Sequence, residues 1–529
     1  MAALELVVML GAVILVCGGL SRRTGVAAPV LLLLAGIALG FVPALRRIHL
    51  PPELMLLVFL PALLYWEALT TSLREIRATL RGIVLNSTLL VVVTAAAVAV
   101  TAHALGLPWG PAWVLGAAVA PTDATAVAAL SGCLPRRTVT ALRAESLVND
   151  GTALVLYGIA VGVTVGSEPF SAGGIGGRVA LAYAWGIAAG ALIAWLGVLA
   201  RRRVTDPLLG NVLILLIPFC AFLLAELAEA SGVLAVVVCG LVMSRVGPRI
   251  GVAATRQQTI AFWTLATFLI NAALFVLVGI EAQTTLRALV STDLWAALAG
   301  VVVVWVVIVA VRFAFLIVAA YTIRLVDRRP QQRLRRISNR ARAVSTVAGF
   351  RGAVSLAAAL AVPATLDSGA PFPDRDLIVF VTACVVALTL VVQGLALAPT
   401  TRWARLPGDS VARERRFAEV TAAQEALDAL PGIAAELGTD QGVVDRLRGE
   451  YEEHLEILRA RETGESADEE VLRLDSEYTR LRLALLAHKR AAIVRLRDQR
   501  HIDDTVLRLI QNRLDIEEIR LSRIDPSMG

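Results

Sequence analysis

Residues 82–106 read GIVLNSTLLVVVTAAAVAVTAHALG, without one acidic, lysine or arginine side chain. About 20 such residues suffice for a helix to cross hydrocarbon. Only a segment that satisfies its own backbone hydrogen bonds can do so, which leaves helices or closed barrels. Blocks of this kind recur through the first 400 residues and give about 13 apolar spans. Their cores are 4–20, 26–44, 53–72, 82–106, 111–131, 144–166, 177–200, 207–228, 231–244, 259–280, 294–322, 343–363 and 376–399. The expected fold is therefore all-α and polytopic, with a soluble helical tail. Composition agrees: 57% of the 529 residues are hydrophobic and 18% are charged, too few charges for a soluble chain of this size.

Loop charge orients the spans. SRR, LREIRATLR, PRRT, RRR, RVGPRIGVAATR and RLVDRRPQQRLRRISNRAR follow odd spans, whereas LPWGP, SEPFSAGGIGG and EAS follow even ones. Arginine-rich loops stay in the cytoplasm. The N-terminus is thus expected outside and the C-terminus inside; the basic loop at residues 46–53 is the exception. The first block carries Glu5 where a signal peptide has its basic region, so it is expected to be a transmembrane helix.

From about Arg402 the pattern changes to apolar residues at three- and four-residue spacing among many charges, as in amphipathic helices. Residues 1–400 form the expected membrane domain and 401–529 a cytoplasmic helical tail. Most tail charges fit a solvated face. The net charge of +7 lacks the basic, aromatic-interleaved stretches of nucleic-acid binders, so no nucleic acid is expected. Cys17, Cys133, Cys220, Cys239 and Cys384 lack metal-binding spacing and are expected to be small core residues. The five histidines form no cluster, and no cofactor is called for.

Polar residues interrupt particular spans. The sixth begins AESLVNDG, with Glu145, Ser146, Asn149 and Asp150. A charged side chain at mid-bilayer costs roughly 3 kcal/mol or more, so such residues mark functional sites. On one helix Ser146 and Asp150 share a face, as do Glu145 and Asn149. Glu145 and Asp150 lie about 140° apart and need not serve one partner. The alternative is a loop preceding a shorter helix, with Arg143 and Gly151 marking its end.

The fifth span contains AVAPTDATAV. Pro121 removes a backbone donor, and Thr122, Asp123 and Thr125 follow. A helix broken here frees carbonyls that can coordinate a cation; the alternative is a proline kink with a capping aspartate. The twelfth span carries Gly349, Arg351, Gly352 and Ser355 in an otherwise apolar run. Spans five and twelve cross in opposite directions, as inverted repeats with two crossing broken helices would. Arg351 is placed to neutralise a half-helix carbonyl end, the alternative being glycine packing beside a snorkelled arginine. Arg312 lies deep in the eleventh span and needs an anion; Glu145 is the expected partner. Glu67 fits an entrance or a structural role equally well. Glu226 and Glu229 are expected in solvent, and Asn271 and Gln393 in interhelical hydrogen bonds.

The stretches APTDATAV, ESLVNDGTALV, SGVLAVVVCGL, NAALFVLVG, GFRGAVSLAAAL and VVQGL, spread over most of residues 50–400, resemble the NhaP-type sodium/proton antiporters. The resemblance implies a 13-helix plasma-membrane homodimer, its core domain moving against a dimerisation domain, that exchanges Na+ or Li+ for H+ in pH homeostasis. By motif matching, Asp150, Asp123, Ser146 and the Thr122 backbone would bind the cation. Asn149, where electrogenic relatives carry a second aspartate, implies one ion per proton. Glu145 and Arg312 would form a buried ion pair, with Pro121, Arg351 and Gly352 supporting the broken helices. The alkali cation would sit at Asp150 and Asp123 alone.

Oxygen ligands suit a hard cation, and no histidine or cysteine lies near for a transition metal. A bare carboxylate is disfavoured in a dry site, so sodium and a proton compete for it. The ligand set leaves potassium open as the cation. An intramembrane hydrolase lacks a histidine in the polar core. An ion-binding sensor acting through the tail would have no nucleotide-binding motif there.

Overall fold

The structure, a computed structural model, describes residues 2–42, 55–71, 76, 82–123, 134–166, 172–204, 206–250, 253–288, 294–326, 338–406, 411–463, 469–499, 501 and 503–522. It divides into two compact units, Met1–Gly408 and Asp409–Gly529.

The first unit is helical throughout, apart from one isolated bridge between Thr365 and Pro371 among the described residues. In order, its helices are α1 (Ala2–Thr24), α2 (Ala28–Leu39), α3 (Leu60–Thr70), α4 (Leu90–Ala104), α5 (Trp109–Val119), α6 (Arg136–Val165), α7 (Ala172–Arg203), α8 (Pro207–Leu227), α9 (Gly232–Val246), α10 (Ala253–Ala288), α11 (Leu294–Val326), α12 (Asn339–Val347), α13 (Ala353–Leu360), α14 (Arg375–Leu388) and α15 (Gly394–Ala404). Three wide turns of π geometry, Met55–Phe59, Leu85–Leu89 and Thr389–Gln393, run directly into α3, α4 and α15.

Local chemistry sets several ends. Pro29 and Pro61 sit in the first turns of α2 and α3, where a missing N–H costs nothing. Asp206, Ser231 and Ser338 cap α8, α9 and α12 by accepting from Leu209, Leu234 and Ala341. Gly166, at φ 100°, ends α6 in the left-handed region that glycine adopts freely.

Among the described residues, eight helices are long and apolar enough to cross a membrane by length and composition, and four more are shorter and apolar. Together with the α12–α13 pair they fall on the predicted spans. Their outward faces expose Leu15, Trp195, Leu223 and Trp295, side chains suited to hydrocarbon. The short ninth span is the helix α9.

Three packed groups hold the unit together. α3, α7, α8 and α9, with Trp263 from α10, enclose Tyr65, Phe222 and Val236. α4, α5, α11 and α14 enclose Val98, Leu115, Ile308 and Phe380. α1, α2 and α10 pack with α12 and α14 around Leu33, Val276, Val344 and Val386. α6 touches both of the first two groups, so its residues face the seam between them.

Two expectations need correction. Cys17 and Cys239 are buried, but Cys220 is exposed on the outward face of α8; Cys133 lies outside the described residues. Gln393 is buried in a π turn with its Oε1 unpaired, so that oxygen makes no interhelical bond. Glu226 and Glu229 are exposed, as expected. His49, Thr125 and the basic loop at 46–53 include or are residues outside those described.

The second unit contains α16 (Val411–Leu437), α17 (Gln441–Thr463), α18 (Glu469–Asp498) and α19 (Asp504–Ser522). α16 pairs with α17, and α18 with α19. Leu483, Leu486, Ile493, Leu514 and Leu521 close the second pair. Arg482 bonds Glu517 at 2.9 Å across it, and Arg490 bonds Asp515 and Glu518.

Candidate functional site

α5 stops at Val119: Ala120 keeps helical angles, but Pro121 offers no N–H to carry the helical hydrogen bonding on. Pro121, Thr122 and Asp123 continue without helix. The other interruption separates α12 from α13 at residues 348–352. The two meet: the Asp123 amide donates to the Phe350 carbonyl at 2.8 Å. A Cβ on Gly352 would lie 1.8 Å from Asp123 Oδ2, so only glycine lets the segments approach this closely. The Asp123 carboxylate therefore sits beside the start of α13, where unsatisfied N–H groups favour an anion. Residues 124–133, which a capping Asp123 would precede, lie outside the described residues.

α6 runs unbroken through the polar stretch, which removes the loop alternative. Glu145, Ser146, Asn149 and Asp150 are all at most 5% exposed, so none of them faces lipid. Ser146 Oγ donates to the Thr122 carbonyl at 2.9 Å, and Asn149 Nδ2 donates to Thr122 Oγ1 at 2.6 Å. These bonds tie α6 to the break in the preceding span. Asn149 Oδ1 is buried with no hydrogen-bond donor among the described residues. Asp150, one residue on, is buried and feels the charges of Asp123 and Glu67.

The charges separate into two clusters. In the first, Arg312 Nη1 donates to Glu145 Oε1 at 2.6 Å, and Arg312 Nε donates to the Ser345 carbonyl at 3.1 Å. Asn86 Nδ2 reaches Glu145 Oε2 at 3.4 Å from the π turn before α4. Arg351, 1% exposed, lies within electrostatic reach of both Glu145 and Arg312. Its Nη1 donates to the Gly349 carbonyl at 3.3 Å, beside the end of α12, and its amide donates to Thr389 Oγ1 at 3.2 Å. The second cluster holds Asp123, Asp150 and Glu67, with Arg143 acting on Glu67.

Two neighbours of the site, Asn86 and Thr389, escape sequence reasoning, which leaves Glu67 between an entrance and a structural role. Glu67 had an available signal, since any carboxylate within an apolar span warrants a functional reading. Asn86 and Thr389 had none: each reaches its partner through a π turn, and helical periodicity does not forecast one.

The arrangement offers hard oxygen donors among neighbouring carboxylates, with a separate ion pair in support. A model of the transmembrane sodium/hydrogen exchanger family matches residues 11–403. An Na+/H+ exchanger of Mycobacterium tuberculosis, itself uncharacterised, is 45% identical over 99% of this chain and 97% of its own length. An Na+/H+ antiporter of Aphanothece halophytica is 31% identical over 75% of this chain and 73% of its own. The structure of a sodium proton antiporter from Methanocaldococcus jannaschii superposes with a TM-score of 0.56 at 18% identity, covering 76% of this chain and 99% of that one. With the family model spanning nearly all of the membrane unit, the chain belongs to the sodium/hydrogen exchanger family.

Proposed function

We propose that this chain is a secondary antiporter that exchanges Na+ for H+ one for one, with both ions competing for Asp150. One observation carries the reading: Asp150 is buried, 5% exposed, and its neighbour on α6 is the neutral Asn149 rather than a second carboxylate. A bare buried carboxylate is strongly disfavoured, and either a single alkali cation or a single proton neutralises it. The loaded states, of equal charge, can therefore cross where the empty one cannot.

In this reading Asp150, Asp123, Ser146 and the Thr122 carbonyl supply oxygen to the cation, and the unpaired Asn149 Oδ1 is a further acceptor beside them. The Glu145–Arg312 pair and Arg351 hold the broken helices without taking part in exchange. Pro121 and Gly352 open the two breaks. α6 and the breaks move together against α3 and α9 as access alternates. The chain works as a homodimer in the plasma membrane, N-terminus outside and tail in the cytoplasm, where the tail regulates exchange.

Liposomes loaded with a pH dye test this. Sodium, lithium and potassium gradients are imposed in turn on the parent and on Asp150→Asn. A sodium response that is insensitive to clamped voltage and lost in the variant supports the proposal. A response to potassium alone keeps the mechanism and changes the cation. Undiminished exchange by folded Asp150→Asn would sink it.

A further inference from the structure

α18 of the tail is amphipathic twice over. Leu486 and Leu483 face α19. A second stripe, Leu474, Tyr478, Leu481 and Leu485, is 53–63% exposed and has the alternating four- and three-residue spacing of a coiled-coil seam. The stripe is its own mirror image in sequence. Reversed against itself, Leu474 falls opposite Leu485 and Tyr478 opposite Leu481.

The charges choose the direction. The first part of α18 carries Glu469, Glu470, Asp475 and Glu477, with Arg473 as its one base. The remainder carries Arg480, Arg482, Lys489, Arg490, Arg495 and Arg497, with Asp498 at its end. Parallel pairing of two such helices sets acid on acid and base on base. Antiparallel pairing sets the acidic end along the basic end. Arg482 and Arg490 already bond acids of α19, whereas Arg480, Lys489 and Arg495 are exposed. A two-fold contact demands this self-complementarity, because each residue must meet its counterpart's partner.

We infer that the exposed stripe of α18 is a docking surface for α18 of a second copy of this chain, paired antiparallel. A seam of a few turns buries less than the roughly 1,200 Å² of a stable soluble complex. Confinement of both copies to one membrane raises their effective concentration and makes a short seam sufficient.

The test is disulfide trapping of the full chain in membranes, in a background with its five cysteines replaced by alanine. The double variant Leu474→Cys with Leu485→Cys places its thiols about 16 Å apart within one helix, too far to bond each other. Under oxidation it yields a covalent dimer. Either single variant yields little, since antiparallel copies hold like positions apart. Val471→Cys with His488→Cys is a second pair in the same register and guards against misfolding of the first. Failure of both double variants, or equal trapping in the single variants, overturns the inference.

Discussion

Asp123 and Phe350 are joined backbone to backbone, amide to carbonyl at 2.8 Å, and Gly352 lies flush against the Asp123 carboxylate. The two interruptions are thus one unit, and its tightest contact is between backbone and an ion-binding candidate. Gly352→Ala is expected to abolish exchange in liposomes. Its methyl would need space now held by Oδ2, and displacing that oxygen by an ångström or more removes a ligand. Retained sodium affinity in this variant would show that Asp123 does not bind the ion.

The Glu145–Arg312 pair yields a stability prediction. Both groups are buried, so removing one strands the other at a cost of about 3–5 kcal/mol. Glu145→Gln and Arg312→Met should each lower the thermal midpoint of detergent-solubilised protein. The combination should recover a large part of the loss, because it leaves fewer buried charges unpaired. Asn86→Ala should cost far less, about 1 kcal/mol at most, since its bond to Glu145 is 3.4 Å long. Equal losses for Asn86→Ala and Arg312→Met would contradict this ranking.

The pair and the breaks were legible in sequence for a common reason. Hydrocarbon penalises every unpaired charge, so an arginine and a glutamate deep in apolar spans call for each other, and a proline followed by Thr-Asp in such a span interrupts its helix. The approach of Gly352 to Asp123 was not legible, because it depends on how the two spans cross. Nor were the roles of Asn86 and Thr389, which depend on the wide turns at Leu85–Leu89 and Thr389–Gln393. The span pattern located the helices but left the identity of the neighbours of α6 open. That choice follows from packing around Leu147, which joins the group containing Tyr65 and Val236.

Glu67 calls for a measurement of affinity. Its charge acts on both Asp150 and Asp123. Glu67→Gln removes one negative charge from the pocket and weakens its attraction for a cation. At alkaline pH, where protons no longer compete, the KM for sodium should rise several-fold with the maximal rate retained. An unchanged KM there would assign Glu67 a structural role alone.

The proposed competition for one carboxylate fixes the sign of the pH dependence. Acid fills Asp150 with protons on the sodium-entry side, so the apparent KM for sodium rises as pH falls. Once protonated sites predominate, the rise is about tenfold per pH unit, because one proton is displaced by each sodium. Saturating sodium overcomes the block, so the maximal rate at a fixed opposite-side pH stays level. Initial rates across a grid of sodium concentration and entry-side pH test both statements. A slope near two pH-dependent decades per unit would mean that two protons are displaced. That would place a second titrating carboxylate, Asp123 or Glu67, in the exchange and end the one-for-one assignment.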